Sequence, residues 1–277
     1  MRPAAEPDVA RRPIAAKVPE ITALFWVIKV LTTGLGEAAS DYLGGISIPL
    51  AAAVGLIGFV VAIWWQFRTR RYVPVVYWTA VLMVAVFGTM TADGPHKVLG
   101  IPYEVTTVAY AVALAVVFLL WRRTEGTLSI HSIVTRRREA WYWLTVLLTF
   151  ALGTALGDLT AIALHLGFLA SAVLFAVVIA VPAIGWRLGL NPVVAFWSAY
   201  VITRPLGASI ADWLGKPPTT AGGLGFGDGA VAAVGFLLFV VLVGYLQRTG
   251  HGRQSLPPGS LASQAATDGG EVFFRSS

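Results

Sequence analysis

Residues 32–45 read TTGLGEAASDYLGG and follow an almost wholly apolar run at 22–31. The stretch places two carboxylates, Glu37 and Asp41, at the end of a segment whose composition suits the interior of a bilayer. An ionised carboxylate in the hydrocarbon layer costs about 2.5–3.5 kcal/mol on insertion scales, so it normally faces the bundle interior, water or a partner. We therefore expect this stretch to end a membrane-spanning helix that has a polar, inward-facing stripe.

The composition of the chain favours an integral membrane protein. Of its 277 residues, 57% are hydrophobic and 12% are charged, whereas a soluble domain carries about 25% charged residues. Spans of this kind are helical because lipid offers no partner to a free backbone N–H or C=O, and the runs lack the alternation of an outer-membrane barrel. The chain has no cysteine, which excludes disulfides, thiolate metal sites and a cysteine nucleophile.

Eight apolar runs have about the 20 residues that a helix needs to cross the hydrocarbon core. They are 21–43, 47–67, 73–93, 104–121, 140–162, 166–186, 192–213 and 227–247. The predicted fold is an all-α integral membrane domain of eight transmembrane helices at 21–247. We expect a cytoplasmic tail before it at 1–20 and a disordered cytoplasmic tail after it at 248–277. The loops are too short to build a catalytic cleft, so we expect neither enzymatic activity nor a cofactor.

Basic residues predict the orientation. Sixteen of the twenty lysines and arginines fall in the two tails and in the loops after the second, fourth and sixth spans. Such residues are enriched on the cytoplasmic side, which places both termini in the cytoplasm at the bacterial inner membrane. The basic loops suit anionic lipid rather than nucleic acid. Tryptophans beside these loops are typical of an interfacial belt; they are Trp64, Trp65, Trp78, Trp121, Trp141, Trp143 and Trp186.

The opening stretch recurs three times. Its other copies begin at Ala92-Asp93, Gly157-Asp158 and Gly207, and the third reaches its Leu-Gly pair two residues late. The repeating unit is a motif-bearing helix followed by a second helix, which divides the domain into repeats at about 21–72, 73–139, 140–190 and 191–247. A two-span unit returns the chain to its starting side, so the four repeats are parallel and related by an axis along the membrane normal.

The four copies resemble a family of bacterial multi-spanning, membrane-anchored proteins that contain a repeat of unknown function. The resemblance also rests on KVPEITALFW at 17–26 and on TLSIHSIVTRRREAWYWLTVLLTFALGTALGDLTA at 127–161. It covers about 17–247 and implies the repeated helical fold. It implies no activity, substrate or catalytic residue, so the function has to be inferred from the chemistry of the side chains.

Acids at matching depth in the motif-bearing helices predict an ion path. Helix positions four apart share a face, and if these helices surround the axis, the acids form a ring that attracts cations or passes protons. The predicted path residues are Glu37, Asp41, Asp93, Asp158 and Asp212. Oxygen ligands suit hard ions such as Mg²⁺, Mn²⁺ or Ca²⁺, and His96 could add a nitrogen ligand; the sequence leaves the metal undetermined.

The same helices carry two basic residues, Lys29 and Arg204, which we expect to pair with carboxylates. Arg204 stands three residues before the motif, where the other copies have Thr33, Thr89 and Thr154. Asp158, Asp212 and Glu37 are its candidate partners. The expected partners of the whole chain are thus the lipid bilayer and a small cation or proton, and the oligomeric state is open.

Two interpretations compete with an inner-membrane transporter or channel for a small cation or protons. The acids can instead cap helices at the outer interface, where a carboxylate costs little, and the repeat then records inherited packing alone. Alternatively, the protein is a non-transporting membrane scaffold or accessory subunit whose basic cytoplasmic loops dock a partner. The position of the acids, central or peripheral, separates the first of these interpretations from an ion path.

Overall fold

The computed structural model describes residues 16–252. Its α-helices are α1 (Ala23–Ile46), α2 (Ile48–Arg68), α3 (Pro74–Leu99), α4 (Tyr103–Glu125), α5 (Arg136–Asp158), α6 (Phe168–Val178), α7 (Ala180–Arg187), α8 (Pro192–Gly215) and α9 (Asp228–Thr249). A 3₁₀ turn, Ile130–Ser132, precedes α5, and a π-helical segment, Leu159–Ala163, extends it. No strand occurs within 16–252. Most of both predicted tails, 1–20 and 248–277, lies outside the described residues.

Local sequence signals set the helix ends. The hydroxyl of Thr22 accepts a hydrogen bond from the backbone N–H of Phe25 (3.2 Å) and caps α1. Proline stands in the first turn of α2, α3 and α8, where its missing N–H costs no hydrogen bond. Gly100 follows α3 and Gly126 follows α4 with φ of 66° and 73°, a left-handed conformation that glycine adopts without strain. Short loops can therefore connect long helices.

Seven helical stretches of the described chain are long and apolar enough to cross a membrane. They are α2, α3, α4, α5 with its π-helical extension, α6 with α7, α8 and α9. The 24-residue α1 is not one of the seven, and it carries Lys29, Glu37 and Asp41. Large apolar side chains are exposed on the outer helices, among them Val60 and Val241. The fold is that of a multi-pass, all-helical membrane protein.

Four helices form the centre and the others surround them. α1, α3, α5 and α8 make a ring in which α1 and α5 each pack against both α3 and α8. Outside this ring α2 packs on α3, α4 on α5, α6 on α8, and α9 on α1. Of the apolar stretches, 56–67% is buried in α3, α5 and α8 but only 17–28% in the outer helices. The motif-bearing helix of each copy is therefore an inner helix.

Glycines allow the inner helices to approach closely. Each inner helix turns one glycine toward the next helix of the ring, where a Cβ atom would collide with a neighbouring residue. The four contacts are Gly36 against Ala85, Gly88 against Phe150, Gly153 against Arg204 and Gly207 against Thr33. Side chains that follow these glycines along the helices consequently meet at short range inside the ring.

Two prolines alter the helices in different ways. Pro95 interrupts the hydrogen-bond ladder of α3, and the carbonyl oxygen of Thr91 accepts a bond from the Tyr110 hydroxyl of α4 (2.7 Å) instead. The span predicted at 166–186 consists of two helices. The helix is interrupted at Ile179, and Pro182 has no N–H to donate to the preceding turn.

The tryptophan belt predicted from the sequence is only partly at the surface. Trp64, Trp65 and Trp186 are 41–57% exposed, but Trp78, Trp121 and Trp143 are buried. Trp78 and Trp143 belong to an interior set that we term the aromatic layer. Its members are Phe25, Tyr77, Trp78, Tyr142, Trp143, Phe196, Trp197 and Tyr200. Sequence position near a basic loop therefore did not reveal that these rings point into the bundle.

Candidate functional site

One residue from the same place in each sequence copy meets inside the ring. We term this set the central layer; its members are Thr33, Thr89, Thr154 and Arg204, each no more than 1% exposed. The guanidinium of Arg204 donates from Nη2 to the hydroxyls of Thr154 (2.7 Å) and Thr89. It donates from Nη1 to the carbonyl oxygen of Thr33 (2.7 Å). A single side chain thus joins all four copies.

Arg204 also forms a buried ion pair with Glu37, one of its three predicted partners. Nη2 lies 2.6 Å from Oε2 of Glu37, and the hydroxyls of Thr89 and Thr154 donate to the same oxygen at 3.2 Å each. Removing one partner of such a pair leaves an uncompensated buried charge. The short contact and the two hydroxyls offset the cost of taking both charges out of water.

The five acids predicted to line a path lie together on one side of the central layer. We term them the acid cluster: Glu37, Asp41, Asp93, Asp158 and Asp212. One oxygen each of Glu37, Asp41 and Asp212 lies within 4.8 Å of the other two. Asp93 and Asp158 are close enough to Glu37 and Asp41 to interact electrostatically with both. The inner helices therefore bring carboxylates of all four copies together.

Two lysines that were not among the predicted site residues bind Asp41 and Asp93 of the acid cluster. Lys97 Nζ lies 3.1 Å from Asp41 and 2.7 Å from Asp93. Lys216 Nζ lies 2.6 Å from Asp41 and 3.0 Å from Asp228, the first residue of α9. Burial disfavours the charge of Lys216, but Asp41, Asp212 and Asp228 outweigh it and raise its pKa above the ordinary value. Asp41 is thus bridged to α3 and to the start of α9.

Asp158 and Asp212 differ from the other members of the acid cluster. Within the described residues neither carboxylate forms an ion pair or a side-chain hydrogen bond, although Asp212 is only 5% exposed. Asp158 ends α5 directly before the π-helical segment, where the third copy of the motif has its two extra residues. A π-helical turn inside a helix often accompanies a functional site.

Lys29 does not pair with a carboxylate, contrary to the prediction from the sequence. Its Nζ lies 4.0 Å from the ring centroid of Phe150 and 4.1 Å from that of Tyr200, and it has no hydrogen-bond partner within 16–252. Glu37, two turns further along α1, is already taken by Arg204. The side chain is 1% exposed, so Lys29 is an isolated buried amine between the aromatic layer and the central layer.

His96, the candidate nitrogen ligand, has its contacts outside the group formed by Glu37, Asp41 and Asp212. Its Nδ1 lies 2.8 Å from the carbonyl oxygen of Ile101, and its ring stacks on Tyr103 at 3.8 Å. The group of three carboxylates whose oxygens lie within 4.8 Å of one another does not include His96. His96 stabilises the turn between α3 and α4, because both partners follow directly after α3 ends.

A second buried ion pair closes the opposite end of the ring, and no signal in the sequence marked it. Lys17 Nζ lies 2.5 Å from Oε2 of Glu139, and the Gln66 amide donates to the other oxygen (3.0 Å). The backbone N–H of Lys17 donates to the carbonyl oxygen of Ile133 (3.2 Å). The described part of the predicted N-terminal tail therefore packs against the loop before α5.

Comparison with known families matches the chain to a family described as "Repeat of Unknown Function (DUF347)". The match comprises four copies, at 24–72, 76–127, 141–188 and 195–251. This confirms the resemblance seen in the sequence. Comparisons with curated proteins and with solved structures give no match.

Proposed function

The chain belongs to this repeat family, and we propose that it transports a small cation or protons across the bacterial inner membrane. In this proposal eight spans form four parallel two-helix repeats around an axis along the membrane normal. Both termini are cytoplasmic, and the acid cluster lines the path. The observation that carries the proposal is the convergence of repeat-equivalent acids inside the ring, two of which form no ion pair within the described residues.

The packing of α1 supports an eighth span. Although α1 carries three charged residues, all three point into the bundle: Glu37 binds Arg204, Asp41 binds two lysines, and Lys29 lies between two rings. None of these charges has to face lipid. A helix of 24 residues spans about 36 Å at ~1.5 Å per residue, enough for the hydrocarbon core.

The basic residues support cytoplasmic termini. Outside the predicted cytoplasmic segments, only Lys97, Arg204 and Lys216 are expected on or toward the outer side, and each is held in an ion pair. By contrast Arg70 and Arg136 on the opposite side are exposed. Free positive charge is therefore concentrated on one side, as the positive-inside rule requires of the cytoplasmic face.

The unpaired acids support an ion or a proton as the transported species. Placing two carboxylates in a bundle interior without a cation is costly, and a residue of this kind in a membrane domain commonly belongs to an ion or proton pathway. Asp158 and Asp212 also interact with the other acids of the cluster, so an entering cation or proton relieves repulsion at several carboxylates together.

The interior is closed in this conformation. Arg204 fills the central layer, and beyond it the aromatic layer packs ring against ring. An ion that reaches the acid cluster cannot continue without a rearrangement of the inner helices. The geometry supports a gated or alternating transporter over a permanently open channel.

Flux into proteoliposomes tests the proposal, with a panel of Mg²⁺, Mn²⁺, Ca²⁺, Na⁺ and K⁺ and a pH gradient. Asp158→Asn is expected to reduce the rate by about tenfold, which corresponds to ~1.4 kcal/mol in the barrier. Glu104→Gln, which alters an exposed acid at the start of α4, is the matched control and should leave the rate unchanged. Equal flux in wild type and Asp158→Asn would contradict the path.

One observation favours the scaffold alternative: the ring is closed by ion pairs at both ends of the bundle, which also suits a protein that only packs helices. A scaffold would dock its partner through exposed arginines of the predicted cytoplasmic loops, such as Arg136 and Arg137. Absence of flux for every ion in the panel and for protons would favour this alternative.

A further inference from the structure

We infer that Glu37, Asp41 and Asp212 form a binding site for one hard divalent cation of the Mg²⁺, Mn²⁺ and Ca²⁺ class. The site lies in the acid cluster, so its role in carrying cargo rests on the proposed function, whereas the binding itself does not. The observation that carries it is the carboxylate of Asp212, which is buried, unpaired and directed at two other carboxylates.

Asp212 points to a missing positive charge. It is 5% exposed and forms no ion pair or side-chain hydrogen bond with any residue in 16–252. Its oxygen nevertheless lies within 4.8 Å of oxygens of both Glu37 and Asp41. Like charges at this spacing disfavour one another's ionised forms, so a cation or a proton between the three carboxylates would relieve their repulsion.

The donor set selects the class of ion. All three ligands are carboxylate oxygens, which hard cations prefer over Cu⁺ and similar soft ions. Oxygens on opposite sides of one Ca²⁺ are about 4.6–5.2 Å apart, and about 4.0–4.2 Å apart on Mg²⁺. Because the three carboxylate oxygens lie within 4.8 Å of one another, one ion can contact all three after small side-chain movements.

Arg204 binds only one of the two carboxylate oxygens of Glu37. The guanidinium and the hydroxyls of Thr89 and Thr154 all use Oε2. Among the described residues Oε1 has no hydrogen bond, and it remains available as a ligand. The buried ion pair then fixes the orientation of Glu37 and leaves its second oxygen free to bind the ion.

Lys97 and Lys216 act as tethered competitors of the ion. Each ammonium contacts Asp41 and a second acid, Asp93 at 2.7 Å for Lys97 and Asp228 at 3.0 Å for Lys216. A divalent cation can displace both from Asp41, because each lysine retains its other ion pair. Since these contacts tie α1 to α3 and to the start of α9, the exchange would also loosen the outer end of the ring.

Titration of the purified full-length protein in detergent with Mn²⁺ tests the site, because the electron paramagnetic resonance signal of free Mn²⁺ falls as the ion binds. We expect one tightly bound Mn²⁺ per chain, displaced by Ca²⁺ or Mg²⁺. Asp212→Asn should weaken the affinity by about tenfold or more, because the ion loses the attraction of one negative charge. Glu104→Gln should bind as wild type does. Lys216→Gln should tighten binding by about tenfold, because it removes a competing charge.

The variants shift the affinity in opposite directions, so misfolding of one cannot imitate the full pattern. No bound Mn²⁺ in wild type, or unchanged affinity in Asp212→Asn, would overturn the site. Weaker binding in Lys216→Gln would overturn the exchange between lysine and ion. A failure of the site together with proton flux that depends on Asp158 would leave the proposed function intact with protons as cargo.

Discussion

At the scale of single residues, the fourth copy of the motif differs from the others by an exchange of charge. Arg204 stands where the others have threonine, and Ala208 stands where the others have an acid one turn later. Arg204 then binds Glu37 of the first copy. At these two positions three copies supply a threonine and an acid, and the fourth supplies the base that binds Glu37.

The sequence revealed the depth of these residues but not their partners. Depth follows from spacing, because residues four apart share a helix face. Partner choice depends on how each inner helix is rotated and positioned against its neighbours, which the spacing within one helix does not disclose. Lys29 was therefore assigned a carboxylate although it contacts the rings of Phe150 and Tyr200.

Two buried lysines are expected to respond in opposite ways to methionine. Lys29→Met should raise the free energy of unfolding by about 1–3 kcal/mol, because it removes an amine buried without an acceptor. Lys17→Met should lower it by about 3–5 kcal/mol, because Glu139 loses its cation. Denaturant unfolding in detergent, followed by tryptophan fluorescence, measures both. Comparable losses in the two variants would show that Lys29 is a structural cation held by its rings.

At the scale of helices, each of the eight predicted spans overlaps a helical stretch, and the ends differ by a few residues. Length and hydrophobicity suffice for that level of detail. They did not predict the break at Ile179 or the π-helical segment after Asp158. Both depend on local backbone hydrogen bonds that hydropathy does not register.

The ring of inner helices depends on close approach at glycine. Gly36→Ala should destabilise the protein by about 1–3 kcal/mol, because the new methyl group meets the backbone and side chain of Ala85. Gly44→Ala, on the same helix but with open space around it, should be neutral or slightly stabilising through helix propensity. Thermal unfolding of the two variants provides the comparison. Equal melting temperatures would mean that α1 and α3 are further apart than described.

At the scale of the whole molecule, one face of α1 contributes a residue to every layer of the ring. Phe25, Lys29, Thr33, Glu37 and Asp41 follow one another at one-turn intervals. Phe25 belongs to the aromatic layer, Lys29 is the isolated amine, Thr33 belongs to the central layer, and Glu37 and Asp41 belong to the acid cluster. The interior is thus aromatic and closed toward the predicted cytoplasmic side and acidic toward the predicted outer side.

The orientation can be tested with single cysteines, since the chain has none of its own. Thr219→Cys, in the exposed loop before α9, should react with a membrane-impermeant maleimide added to intact cells. Arg70→Cys, in the exposed loop before α3, should react only after the membrane is permeabilised. The reverse pattern would invert the topology, and labelling of both in intact cells would contradict a spanning ring.

The most direct measurement for an ion path is flux through the double variant Asp158→Asn, Asp212→Asn in proteoliposomes. Neither acid forms an ion pair within the described residues, so their neutralisation breaks none and should leave the melting temperature unchanged or raised. If the two acids line the path, the variant will be folded and its cation or proton flux will fall to the level of empty liposomes. Flux equal to that of wild type would contradict it.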